Sequence, residues 1–319
     1  MAQSFRSLIL DHVGSTNREA FALAEAGVSG PLWIMARRQS AGRGRSDRQW
    51  VSAPGNLHAS LLICLDCPAT AVAQLSLLAG VAAIDAIRRA AVAGGGVEPI
   101  GLRLKWPNDI LIDGAKCAGI LVETSGAFPG RRRVASRPPS GEGPGMVGGT
   151  PTLDVLQSSL QSPSLSATRV EGTLSPPSSS TFTAVIGVGI DLAWHPTAMH
   201  RAATDLAAHG CRIEPEAMLA SLAEAMQHWL GVWDSGSAFH SIRAAWLERA
   251  GPVGEMCTVD TGRERIAGAF ADLDPNGALI ICDSDGRRRV VTFGDVALDG
   301  TAAGTHTDTL AGPASKEVS

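Results

Sequence analysis

The sequence has no excess of positive charge and no leader-like N-terminus, and we expect no apolar stretch of membrane-spanning length. Its 27 lysines and arginines are outnumbered by 31 aspartates and glutamates, which gives a net charge of -4. Without a global basic field we expect no nucleic-acid partner, so any affinity for phosphate must come from a local cluster. Arg6 and Asp11 interrupt the apolar start of the chain, which argues against a signal peptide. We therefore expect a cytoplasmic protein with no membrane partner.

A cysteine framework is also lacking. The six cysteines are scattered along the chain, which favours buried, reduced thiols over disulfides. Only Cys64 and Cys67 have a spacing typical of metal ligands, and no second pair lies near them in the sequence. His195 and His200 flank Pro196 in a loop-like segment, so they do not form a paired face on a helix. The sequence predicts no resident metal site.

What the sequence does contain is an unusual segment at Gln39–Trp50, which we call the arginine loop. The loop contains three arginines, Arg43, Arg45 and Arg48, whose planar guanidinium groups can bind carboxylate and phosphate oxygens. Gly42 and Gly44 would let the backbone approach a ligand closely, and Trp50 offers a flat face to a base. Short arginine-glycine runs are more often exposed surface loops, so this segment alone leaves the function undecided.

Three further segments accompany the arginine loop. They are Ser15–Asn17 (Ser-Thr-Asn), Arg103–Ile110 (Arg-Leu-Lys-Trp-Pro-Asn-Asp-Ile) and Lys116–Glu123 (Lys-Cys-Ala-Gly-Ile-Leu-Val-Glu). In order and approximate spacing, the four segments resemble those of biotin protein ligases, which carry a Gly-Arg-Gly-Arg-x-Gly-Arg-x-Trp loop, a Lys-Trp-Pro-Asn-Asp segment and a Lys-x-x-Gly-Ile-Leu strand. The resemblance covers most of the chain. We expect the monofunctional type of this family, because too few residues precede Ser15 for an N-terminal DNA-binding helix-turn-helix.

The resemblance implies a two-step ligase. Biotin and Mg-ATP would give biotinyl-5'-AMP and pyrophosphate, and the mixed anhydride would then acylate a lysine of a biotin carboxyl carrier protein. The first step brings a carboxylate against a phosphate, so positive charge must offset the repulsion. By match to the family, the catalytic residues would be Lys116, Arg45 and Arg43. Closure of the arginine loop would protect the hydrolysable intermediate from water.

The resemblance also implies the binding residues. Those for biotin would be Ser15, Thr16, Asn17, Gln39, Gly42, Arg43, Arg45, Lys116, Gly119 and Leu121. Their polar side chains suit the ureido group, which needs both donors and acceptors. Those for the nucleotide would be Arg45, Arg48, Trp50, Asn108, Asp109 and Asp191, with Trp50 stacked on adenine. Asn108 and Asp109 would serve the phosphates, Mg²⁺ or the incoming lysine, and the sequence leaves that choice open. The oligomeric state is also open, and a homodimer is compatible with the sequence.

Two residues depart from the family pattern. Asp47 stands where the loop usually has glycine, which would restrict its backbone. Asp191 stands where an asparagine usually follows Gly-Ile near adenine, which puts that contact in question.

Two other functions remain as alternatives. A lipoate or octanoate protein ligase would share the fold, but the Arg-Arg-x-Ser-Gly-Gly-Gly segment typical of those enzymes is missing. A biotin-binding homologue without catalysis is the second alternative, and the presence of Lys116 argues against it.

The predicted fold class is α+β. The resemblance implies a mixed sheet with flanking helices, as in class II synthetase-like biotin and lipoate ligases, over residues 1–250. Within it, Thr16 and Glu19 form a Thr-x-x-Glu capping box that predicts a helix through about Glu25. After Gly251-Pro252, short strands and tight turns predict a small all-β module over residues 251–299, similar to the SH3-like C-terminal domain of the family. Residues 300–319 are predicted to be a disordered tail.

Residues 125–181 interrupt the catalytic domain. The segment is rich in glycine, proline, serine and threonine and has few apolar anchors, so it cannot build a core. We predict a low-complexity, disordered insertion between two strands.

Overall fold

The computed structural model describes residues 6–128, 180–197 and 202–298. The larger of its two sheets has seven strands, which are β1 (Arg6–Val13), β2 (Leu32–Gln39), β3 (Leu57–Cys67), β4 (Arg103–Lys105), β5 (Asp109–Ile112), β6 (Ala115–Phe128) and β7 (Ser180–Ile190). They lie in the order β1-β2-β3-β7-β6-β5-β4. Only β1 and β2 pair in parallel among these neighbours, so the sheet is mixed, as predicted.

Helices cover both faces of this sheet. The helices are α1 (Thr16–Glu25), α2 (Leu75–Ala93), α3 (Pro215–Trp233) and α4 (Phe239–Arg249). Because side chains alternate along a strand, β2 contributes to two separate cores. Trp33 and Met35 join the core formed with α2, α3 and α4, whereas Ile34 packs with Ala20 of α1.

The helical segment Ala69–Ala93, which comprises a 3₁₀ turn and α2, is long and apolar enough to cross a membrane by length and composition, with a mean hydropathy of 1.7. The expectation that no apolar stretch reaches that length was therefore wrong. Within this segment, 72% of the most apolar stretch is buried inside the protein. The helix packs against α3 and α4, so its hydrophobicity is that of a core helix.

Local sequence signals predicted the turn between β5 and β6 and the two ends of α1. The turn formed as predicted, but the capping interaction predicted for the start of α1 did not. Asp113-Gly114 forms the predicted tight turn between β5 and β6, with φ of 49° and 82°. Helix α1 ends at Glu25 as predicted, but the capping box does not form. Ser15 is the N-cap residue, without a side-chain capping bond, and Thr16 Oγ1 donates instead to Gln39 Oε1. The polar groups at this helix start are thus turned toward β2.

A five-stranded antiparallel sheet forms the C-terminal module, in agreement with the SH3-like prediction. Its strands are β8 (Met256–Asp260), β9 (Arg265–Leu273), β10 (Leu279–Cys282), β11 (Arg288–Val291) and β12 (Asp295–Leu298), in the order β11-β10-β9-β8-β12. Side chains between β4 and β5 and on β4 contact this module. Trp106 Nε1 donates to the Gly277 carbonyl at 3.0 Å, and Arg103 pairs with Glu255 at 2.7 Å.

The predicted insertion lies mostly outside the described residues. Strands β6 and β7 extend into both of its ends, where Phe128 and Thr181 are cross-strand neighbours. The predicted bounds were therefore too wide by a few residues on each side. Residues 129–179 and the predicted tail over 300–319 are not described.

Candidate active site

A cavity of about 480 Å³ opens on the α1 face of the seven-stranded sheet. Its floor has three glycines where β6 and β7 run side by side, because Gly119 is opposite Gly189 and Gly187 is opposite Leu121. A Cβ at Gly189 would lie 2.6 Å from the Trp50 ring. The glycines thus keep a flat floor on which a ring can rest.

Nearly all of the predicted site residues line this cavity. They are Ser15, Thr16, Asn17, Gln39, Arg43, Arg45, Arg48, Trp50, Asn108, Asp109, Lys116, Gly119, Leu121 and Asp191. The exception is Gly42, which lies behind the arginine loop, where a Cβ would come within 2.7 Å of the Trp50 carbonyl oxygen. Gly42 therefore shapes the loop and does not line the cavity.

One end of the cavity is polar and neutral. Gln39 Oε1 accepts from the Thr16 backbone N–H at 2.8 Å, and Gln39 Nε2 donates to Ser52 Oγ at 3.1 Å. Ser60 Oγ lies 2.7 Å from Thr16 Oγ1 and 2.6 Å from Asn17 Oδ1. These bonds fix the orientation of each side chain, so this end offers fixed donors and acceptors. Sequence reasoning missed Ser60, which does not line the cavity but supports Thr16 and Asn17; its signal is a polar residue between the apolar Ala59 and Leu61.

Arg43 belongs to this neutral end because a carboxylate holds it there. Its Nη2 lies 3.1 Å from Glu123 Oε1, and Asn17 Nδ2 donates to Glu123 Oε2 at 2.7 Å. Arg43 and Lys116, which were predicted to act together, thus pair with different carboxylates. The sequence assigned no role to Glu123, although its two-residue spacing from Leu121 predicts the same face of β6.

The other end of the cavity is cationic. Asp109, at the start of β5, accepts from Lys116 Nζ at 2.5 Å and from Lys105 Nζ at 2.9 Å. Burial would raise the pKa of the Asp109 carboxyl, but the charges and hydrogen bonds of Lys116 and Lys105 outweigh burial and hold that pKa well below its usual range. One carboxylate therefore orients two ammonium groups and leaves a net positive charge.

The arginine loop contacts the C-terminal module. Arg45 donates to Asn108 Oδ1 at 3.1 Å and to the Gly294 carbonyl at 3.2 Å, and its guanidinium lies 5.7 Å from the centre of the Phe293 ring. Arg48 donates to Asp295 Oδ1 at 2.8 Å. Sequence reasoning did not anticipate that the C-terminal module supplies part of the cavity wall.

The departure at Asp47 does not strain the backbone of the loop. The one non-glycine residue of the loop with a positive φ is Ser46, at 53°. Glycine's conformational freedom is therefore not required at position 47.

Three cavity residues carry a buried side-chain nitrogen with no partner among the described residues. They are Arg43 Nε, Trp50 Nε1 and His58 Nδ1. Buried polar atoms are nearly always satisfied in folded proteins, and these three lie in the wall of one cavity. Trp50 lies against the glycine floor, with Lys116 Nζ 5.5 Å from its ring centre.

Asp191 follows β7 and is 4% exposed. Its Oδ1 accepts from Asn56 Nδ2 at 2.9 Å. Burial raises the pKa of Asp191 to about 8; Lys116 opposes this rise, and Asp205 adds to it. At neutral pH the carboxyl is therefore mostly protonated.

Comparison with known proteins finds related sequences for both the larger domain and the C-terminal module. Residues 11–131 match the Biotin/lipoate A/B protein ligase family, and residues 253–299 match the Biotin protein ligase C terminal domain. The biotin--[acetyl-CoA-carboxylase] ligase of Paracoccus denitrificans is 34% identical over 286 residues, which are 88% of this chain and 95% of that protein. The bifunctional ligase/repressor BirA of Bacillus subtilis is 41% identical over 114 residues, 35% of this chain and 33% of that protein.

Solved structures share the fold. The biotin protein ligase from Aquifex aeolicus in complex with biotin and ATP superposes with a TM-score of 0.62 at 21% identity, covering 92% of this chain and 98% of that one.

Proposed function

The chain belongs to the biotin protein ligase family, and from that premise we propose that it forms biotinyl-5'-AMP from biotin and ATP and transfers the biotinyl group to a lysine of a biotin carboxyl carrier protein. The observation that carries the assignment of roles is the polarity of the cavity. A neutral hydrogen-bonding end and a cationic end are joined by a glycine floor. Biotin has the same order of parts: a ureido ring, an apolar bicycle and chain, and a carboxylate.

The neutral end suits the ureido group. Ser15 is buried at the start of α1 with no side-chain capping bond, and Gln39 and Asn17 are held in fixed orientations by their neighbours. A ureido group needs an acceptor for each N–H and donors for its oxygen. Arg43, fixed by Glu123, supplies a donor at this end and acts there as a binding residue.

The cationic end suits the first chemical step. A biotin carboxylate oxygen attacks the α-phosphorus of ATP, the bond to the pyrophosphate oxygen breaks, and pyrophosphate leaves. Both reactants are anions, so the barrier falls when fixed positive charge lies where negative charge accumulates. Lys116 and Arg45 supply that charge, and Asp109 and Asn108 hold them in place. Mg²⁺ enters with ATP as part of the substrate. Asp109, already shared by two lysines, is better suited to orienting them than to binding a metal.

The arginine loop and the C-terminal module retain the intermediate. A mixed anhydride hydrolyses in water, so an enzyme that makes one must exclude solvent until the acceptor arrives. Arg45 and Arg48 connect the loop to Gly294 and Asp295, which closes that side of the cavity. In the second step the carrier's lysine amine attacks the acyl carbon, and AMP leaves.

The same polarity argues against lipoate as the substrate. A dithiolane ring has no hydrogen-bonding groups to match Gln39, Asn17 and Ser15. Binding it would leave these buried polar groups unpaired, and sites of this kind reject such analogues strongly.

The test is a mass measurement on a carrier. The full chain is incubated with ATP, Mg²⁺, biotin and a biotin carboxyl carrier domain, and we expect the carrier to gain one biotinyl group. Omission of ATP and a carrier whose target lysine is replaced by arginine serve as controls. A carrier that gains a lipoyl group from lipoate, with none from biotin, would overturn the assignment.

A further inference from the structure

Glu123 lies on β6, two residues beyond Leu121, and its carboxylate contacts two segments that are distant in the sequence. Asn17, at the start of α1, donates from Nδ2 to Glu123 Oε2 at 2.7 Å. Arg43, in the arginine loop, places Nη2 3.1 Å from Oε1 and 3.3 Å from Oε2. Both oxygens are engaged, so one carboxylate connects α1 to the arginine loop.

Glu123 fixes the direction in which the Asn17 amide points. Asn17 is 4% exposed and lies against the glycine floor, where a Cβ at Gly187 would collide with its amide. Its Oδ1 accepts from Ser60 Oγ at 2.6 Å. In a flipped amide, Oδ1 would face the Glu123 carboxylate, and two acceptors repel each other. Asn17 therefore presents one defined pattern of donor and acceptor to the cavity.

The same carboxylate holds the arginine loop on the side of the larger sheet. Arg43 and Gln49 are cross-strand neighbours within the loop, so displacing Arg43 also moves the segment that leads to Trp50. Arg45 and Arg48 attach the loop on its other side, to the C-terminal module. If the loop opens at Arg43, the carboxylate loses a charge-assisted hydrogen bond, which is among the stronger kinds in proteins.

From this geometry we propose that Glu123 is a positioning residue that couples recognition of the ureido group to closure of the arginine loop. The inference rests on the proposed function, because it takes biotin as the ligand of the neutral end. The carboxylate that orients Asn17 is also the one that holds Arg43. Because such coupling is reciprocal, biotin that fixes Asn17 favours the closed loop, and the closed loop favours the Asn17 orientation that binds biotin.

The first test replaces the carboxylate by an amide and measures two quantities. The amide of Glu123→Gln has one acceptor oxygen, so it can serve either Asn17 or Arg43, and its N–H groups oppose the other donor. We expect the Kd for biotin without ATP to rise about tenfold, and a non-hydrolysable adenylate analogue to be released about tenfold faster, the usual effect of losing a charged hydrogen bond. Calorimetry and stopped-flow displacement on the full chain give the two values.

Asp295→Asn is the matched control, because it is an acid-to-amide change at the carboxylate that pairs with Arg48 on the other side of the loop. It should speed release of the analogue and leave the Kd for biotin unchanged. Glu123→Asp keeps the charge and both acceptor oxygens, so it should recover part of both losses. If Glu123→Gln changes only one of the two quantities, or neither, the coupling is refuted.

A double-mutant cycle separates coupling from a merely structural role. Asn17→Ala and Arg43→Met are compared singly and together in the Kd for biotin, first in the wild type and then in Glu123→Gln. With Glu123 present, the two losses should depart from additivity by about threefold or more, and in Glu123→Gln they should be additive. Additive losses in the wild type would overturn the inference even if Glu123→Gln fails to fold. Absence of biotin binding and of carrier biotinylation in the wild type would instead mean that the proposed function fails.

Discussion

Lys116→Ala is expected to slow adenylate formation by about a hundredfold to a thousandfold, the usual cost of removing one donor aimed at developing negative charge. The structure also sets the expected cost in stability. Lys116 is 28% exposed and forms one charged hydrogen bond, to Asp109. Losing such a bond costs about 1.5–3 kcal/mol, and Lys105 remains to pair with the carboxylate. A domain of ordinary stability stays folded after this loss.

The assay separates the two chemical steps. Pyrophosphate release with biotin and ATP but no carrier reports the first step, and supplying biotinyl-5'-AMP with carrier reports the second. Lys116→Arg should recover part of the first-step rate, because it restores the charge but not the geometry. Arg89→Met removes an exposed cation on α2 and should leave both steps intact. Pyrophosphate release at the wild-type rate by a folded Lys116→Ala protein would refute the reasoning.

Three other perturbations test separate parts of the structure. Replacing residues 129–179 with a short Gly/Ser turn should leave the protein folded and the first step active, because Phe128 and Thr181 are already cross-strand neighbours that a short loop can join; insoluble protein would show that the segment is structural. Arg45→Ala should speed release of the adenylate more than it weakens biotin binding, and hydrogen exchange over residues 39–50 should fall when a non-hydrolysable adenylate analogue binds; strong protection without the analogue would exclude gating. Asp191→Asn should raise the melting temperature relative to wild type more at pH 9 than at pH 6, because a group whose folded pKa is raised to about 8 loses its stabilising proton as pH rises through that value; an equal effect at both pH values would mean that Asp191 does not titrate there.

The sequence predicted those features that depend on near neighbours. Asp113-Gly114 gave the hairpin between β5 and β6 because both residues tolerate positive φ. The end of α1 was also correct. The capping box was not, because Thr16 has a better partner in Gln39, a residue that the folded sheet brings close. Tertiary contacts outweighed a local rule at that point.

The residues that line the cavity could be predicted as a set, but their arrangement could not. Family motifs identified Lys116 and Asp109. The pairing of the Asp109 carboxylate with both Lys105 and Lys116, however, depends on the order of β4, β5 and β6 in the sheet. The pairing of Arg43 with Glu123 spans 80 positions, and that of Arg45 with Gly294 spans 249. No local pattern encodes contacts of that range, so these partners came only from the fold.

The contact between Arg45 and Gly294 has a consequence for the order in which the site is completed during synthesis. Translation produces Lys116, the glycine floor and the neutral end of the cavity well before the C-terminal module. A nascent chain that has emerged through α4 contains Lys116 but lacks the Gly294 carbonyl and the Asp295 carboxylate that hold the loop. On the ribosome, these contacts of the arginine loop with Gly294 and Asp295 form only after the C-terminal module has been made.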